Sequence, residues 1–74
     1  MDIMYNISFF WDAEAEVWIA TSEDVAGLIL EDASLDNLMK RVFIAVPELI
    51  AGENQQHREY SLNCVASRRE LVHV

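Results

Sequence analysis

Between Ser34 and Gly52 the apolar residues Leu35, Leu38, Met39, Val42, Val46, Leu49 and Ile50 recur at spacings of three and four. A helix gathers such a series on one face, which then needs an apolar surface to lie against. Ser34 is suited to cap the helix start, with Asp32 as the competing cap, and Asp36 falls in the first turn where free amide groups favour negative charge. Pro47 has no backbone N–H and disfavours helical geometry at Val46, so a kink or a new turn is expected there, with Gly52 ending the helical region. The whole chain has 74 residues, so one domain over residues 1–74 is expected and a second core has no room.

The surface for this helix comes from segments of period two. Residues 3–11 alternate Ile3, Tyr5, Ile7, Phe9 and Trp11 against Met4, Asn6, Ser8 and Phe10, the pattern of a strand. "DAEA" at 12–15 reads as a turn and "EVWIAT" at 16–21 as the returning strand of a hairpin. Gly27 permits a tight backbone position before a short strand at 28–31, with Leu28 and Leu30 on one face. After a polar linker at 52–59, "YSLNCVAS" at 60–67 alternates again, with length for an extension toward "ELVHV". The fold class this implies is α+β: a two-layer β-β-β-α-β domain with a mixed four-stranded sheet, β1 central and β4 parallel to it, and one helix packed on one face.

One helix covers one face, so the other meets water or a partner. Alternation within each segment places Phe10, Trp18, Ala20 and Val65 on that outer face, opposite Phe9, Val17, Ile19, Cys64 and Ala66. Large apolar groups among Asn6, Ser8, Ser61 and Asn63 resemble the centre of a protein interface. Trp18 is the expected anchor. The competing reading has Trp18 under the C-terminal segment, or the faces exchanged by a bulge.

Thirteen acidic residues stand against Lys40, Arg41, Arg58, Arg68 and Arg69, a formal charge of −8. That field repels nucleic-acid backbones and attracts basic proteins, so no direct nucleic-acid contact is expected. Lys40 and Arg41 read as solvating charges that offset the acids before the helix, and the Arg68–Arg69 pair is too sparse to overcome the global charge. No stretch approaches a membrane span and the opening lacks the basic start of a signal peptide. A lone cysteine fits a reducing cytoplasm.

Glu23, Asp24, Glu31, Asp32 and Asp36 crowd residues 21–38. Acid–base or metal chemistry needs carboxylates converging on one substrate in unequal environments, whereas turns and a helix start use carboxylates as caps. A solvated loop and helix-cap role is the leading reading for these acids, with Glu23 and Asp24 the ones assigned to partner contact, and a divalent-metal-dependent hydrolase using Asp24 or Asp32 is the alternative. His57 and His73 lack a zinc spacing, Cys64 lies on the core face without a neighbouring base, and Ser22 and Ser34 lack a nucleophile setting. No catalytic residue, metal ligand or cofactor is assigned.

Residues 17–50, "VWIATSEDVAGLILEDASLDNLMKRVFIAVPELI", resemble the core of HicB-like antitoxin domains, specifically a small stand-alone branch without the DNA-binding domain. The likeness rests on the hairpin exit, "SEDVAG" before a short strand, a Ser-capped helix and "AVPELI" near its end. Asp24 and Gly27 match the Asp and Gly of an Asp-x-Pro-Gly turn, with Ala26 in the proline position, and Ser34 matches the Ser or Thr opening the helix. The resemblance implies a partial ribonuclease-H-like sheet and occlusion of a small basic RNA-cleaving toxin of the HicA type. Residues 67–74 are too few for the C-terminal DNA-binding domain of full members. The expected function is a non-enzymatic protein-binding module, antitoxin-like, forming a dimer or tetramer, with a structural homo-oligomer as a further alternative.

Overall fold

A computed structural model describes residues 3–51 and 59–73. Its elements run β1 (Met4–Asp12), β2 (Val17–Thr21), β3 (Ile29–Asp32), α1 (Leu35–Ile50) and β4 (Ser61–Ser67). The strands form one mixed sheet in the order β3-β2-β1-β4, antiparallel except where β4 runs parallel to β1. Helix α1 lies against β2 and β3, making the second layer of an α+β fold. The expected extension of β4 does not form over the described residues 68–73: β4 ends at Ser67, and residues 68–73 are exposed.

The β1–β2 hairpin turns through residues 13–16, where the Asp12 carboxylate accepts from the Glu14 and Ala15 amides (3.1 and 3.2 Å). Glu16 closes it at φ 57°, a left-handed conformation unfavourable for a side chain with a Cβ. This turn fixes the register at Phe9↔Ala20, Phe10↔Ile19 and Trp11↔Trp18. Directly opposed residues share a face, so the expected faces of β2 are exchanged. Ala20 is fully buried against the helix side beside Phe9, and Trp18 lies half-buried on that side, edge-on to Trp11 at 5.6 Å. Val17, Trp18, Ile19 and Ala20 are all apolar, so alternation within β2 has no polar residue to orient it; the turn decides instead.

The core comprises Ile7, Phe9, Ala20, Val25, Leu28, Leu38, Val42 and Val46. Val25 and Leu28 enter it from the β2–β3 loop through a turn in which the Leu28 amide donates to the Val25 carbonyl (3.3 Å). Gly27 occupies the third turn position at φ 83°, the conformation a type II turn requires, and Ala26 the second, which favours proline. Ser34 caps α1, its hydroxyl accepting from the Asn37 amide (3.2 Å). The helix then continues through Pro47 to Ile50 with no new turn beginning there. Val46 remains fully buried, so core packing holds the last turn despite the hydrogen bond that proline omits. Ala51 is the C-cap in right-handed helical geometry; the ending assigned to Gly52 lies outside the described residues.

Candidate protein-binding face

The sheet face turned away from α1 is assembled by register. One cross-strand row runs Ile29, Thr21, Ser8, Val65 and the next Glu31, Ile19, Phe10, Ser67, with Met4 beside Ser61 and Asn6 beside Asn63. Phe10, Val65, Met4 and Ile29 are 42, 56, 56 and 72% exposed. These apolar side chains thus remain in solvent on a surface whose strands are ordered by the core on the opposite side. Small uncharged groups separate them, and Glu31 marks one margin.

The other margin is built where β2 stops. Beyond Thr21, which pairs with Ser8, no described strand neighbours β1 on that side, and loop side chains replace the ladder. The Asn6 amide donates to Asp24 Oδ2 (2.7 Å), and the Asn6 carbonyl accepts from Ser22 Oγ (2.6 Å). Ser22 Oγ in turn accepts from the amides of Asp24 and Val25 (3.0 and 3.1 Å), folding the loop back on itself. Asn6 Nδ2 also donates to Asp24 (3.1 Å), and Asn63 Nδ2 donates to Asn6 Oδ1 (3.0 Å), so the network reaches β4. Asn6, Ser8, Thr21, Ser22, Glu23 and Asp24 line a shallow depression of about 230 Å³. Satisfying an otherwise open strand is the physical reason for Ser and Asp at these positions.

Asp32 belongs to a separate network at the helix start. Its carboxylate accepts from the Ser34 amide (2.9 Å), Asn37 Nδ2 (2.5 Å) and Arg41 Nη1 (3.4 Å), while Arg41 Nη1 also donates to the Glu31 carbonyl (2.7 Å). The Ser34 amide, then Asn37, then Arg41 hold the Asp32 carboxyl below its ordinary value of 3.8. The acids of residues 21–38 therefore divide between a strand-completing loop and a helix cap. Among the described residues no group of three His, Cys, Asp or Glu is placed to hold a metal ion.

Of the sequence-assigned interface residues, Phe10 and Val65 are on the outer face, Glu23 and Asp24 are exposed at its margin, and Trp18 and Ala20 are on the other side. Trp18 is half-buried on the helix side, and Arg68, just after β4, stacks its guanidinium 4.1 Å from the Trp11 ring centre and 6.0 Å from that of Trp18. Arg68 also pairs with Glu70. Ile19, expected on the core face, lies instead on the outer face opposite Phe10, because the hairpin register and not alternation within β2 sets its side; Ile29 joins it there. Cys64 is half-buried on the helix side, where desolvation raises its thiol above the ordinary 9.0. His73 is exposed, and His57 lies outside the described residues. Among the described residues no helix is long and apolar enough to cross a membrane.

Fold and face together define a class: a small two-layer α+β domain with one sheet surface that carries exposed apolar side chains among polar ones and that no described element covers. The chain belongs to the family described as a domain of unknown function, DUF1902, which matches residues 4–74. It is similar to the crystal structure of hypothetical protein TTHA1013 from the extremely thermophilic bacterium Thermus thermophilus, with 35% sequence identity, a TM-score of 0.77, and coverage of 95% of this chain and 99% of that one. No curated protein matches the chain.

Proposed function

We propose that this protein is a non-enzymatic binding module of the cytoplasm whose uncovered sheet face docks a small basic protein, as a HicB-like antitoxin domain with a partial ribonuclease-H-like sheet would occlude a HicA-type toxin. The observation carrying this reading is the co-location of exposed Phe10, Val65 and Ile29 with a margin formed by Glu23, Asp24 and Glu31. An apolar centre supplies contact area that excludes water, and carboxylates around it complement a surface built to bind phosphates. The formal charge of −8 accelerates encounter with such a partner.

Phe10 is the anchor, because it is aromatic and lies between Ile19 and the exposed Val65 side of the sheet. Calorimetric titration with a small basic RNA-cleaving protein of the HicA type tests the reading. Phe10→Asp is expected to weaken binding by at least roughly thirtyfold, the scale of an interface hot spot, while far-UV circular dichroism stays unchanged. Binding should also weaken as salt is raised. A folded Phe10→Asp variant that binds as tightly as the parent, or the lack of any such binding partner, refutes it.

A further inference from the structure

Strand β4 is at one end of the sheet and pairs with β1 on one side; no described strand occupies its other side. Its sequence, "SLNCVAS", contains no Lys, Glu, Asp or Pro, the residues that ordinarily protect an edge from pairing. The opposite edge is different: β3 has four residues, of which Glu31 and Asp32 are acidic, so two copies of it would repel. The direction of the unused β4 groups follows from one bond. The Ser61 amide donates to the Ile3 carbonyl of the β1 side (2.8 Å), and alternation then turns the N–H and C=O of Leu62, Cys64 and Ala66 toward the open edge.

We propose that β4 is a self-association edge, pairing antiparallel with β4 of a second copy about a two-fold axis at Cys64. Leu62, Cys64 and Ala66 then oppose the second copy's Ala66, Cys64 and Leu62, a register that uses every outward-facing backbone group of the strand. Continued two residues past each end of β4, where the backbone is no longer strand, the same register brings exposed Arg69 of each copy toward exposed Glu59 of the other, opposite charges at both ends of the ribbon. Shifting the register by two residues loses that match and leaves one end of each strand unpaired. This self-complementarity selects a second copy as the occupant, since an isologous interface needs each strand to match itself in reverse. The two sheets become one of eight strands, and the outer faces carrying Phe10 become continuous. The inference is independent of the docking of a basic partner and is tested on the chain alone.

Sedimentation equilibrium of the purified full chain should give a species of twice the 8.5 kDa chain mass. Ala66→Pro removes one outward N–H per copy without touching a bond to β1, and should raise the dimer dissociation constant at least about tenfold. Because that variant could lose its fold, charge exchange supplies a second reading: Arg69→Glu alone weakens the dimer several-fold, and adding Glu59→Arg restores it. Diamide, which takes two electrons and two protons from a thiol pair, should join the copies through Cys64, since opposed residues in such a ladder have Cα atoms about 5.5 Å apart, within disulfide range. A chain that stays monomeric at millimolar concentration overturns the proposal. So does a dimer indifferent to Arg69→Glu and not joined by diamide.

Discussion

Exchanging Ile19 and Ala20 individually for lysine gives the sharpest test of the hairpin register and hence of which face is free. Ala20 has no exposed surface and lies opposite Phe9 in the core. A lysine there must insert three further carbons and a nitrogen into filled space, costing about 1–3 kcal/mol, and must desolvate an ammonium or bind it neutral, costing several kcal/mol more. At least about 4 kcal/mol is lost in all, against a total stability of roughly 4–11 kcal/mol for a chain of this length. Ile19 is half-buried on the other face opposite Glu31. Lysine at that position loses part of one side chain's burial and some strand preference, about 1 kcal/mol, with Glu31 offsetting a little of it. Urea titration followed by circular dichroism should therefore show the Ile19→Lys midpoint lowered by about 1 M and the Ala20→Lys midpoint lowered by about 3 M or more, up to loss of the cooperative transition. The opposite order, with Ala20→Lys the milder change, refutes the observed register and returns Trp18 to the outer face.

Two further outcomes follow from local geometry. Glu16→Gly relieves the left-handed strain at φ 57° and should raise unfolding stability by about 0.5–1 kcal/mol, read as a higher urea midpoint. Because Asp32 is held below 3.8 by Ser34, Asn37 and Arg41, its contribution is complete above that pH and is lost as pH falls through the lower folded-state value. Asp32→Asn should accordingly be less stable than the parent at neutral pH, and the gap should narrow in strongly acidic solution; a gap that widens with acid contradicts the assignment.

Much of the architecture is readable from residue spacing because local periodicity and burial coincide in it. The stripe from Leu35 to Ile50, the Ser34 cap, the alternation of residues 3–11 and the turn at Gly27 each act within a few residues of themselves. Pro47 shows where such reasoning stops: its local preference breaks a helix, and the buried Val46 beside it carries the helix onward. The candidate face divides in the same way. Phe10 and Val65 were assignable because polar neighbours such as Ser8 and Asn63 orient their strands.

The assignments of Trp18 and Ala20 needed information that β2 does not contain. An unbroken apolar run is consistent with either face, and the choice passes to the hairpin register set by Asp12 and Glu16. Likewise nothing local announces that Ser22 and Asp24 finish a strand sixteen and eighteen residues away. Residue order alone determined which elements form, since that depends on near neighbours; the tertiary structure decided which surfaces remain uncovered, since that depends on pairing between segments distant along the chain.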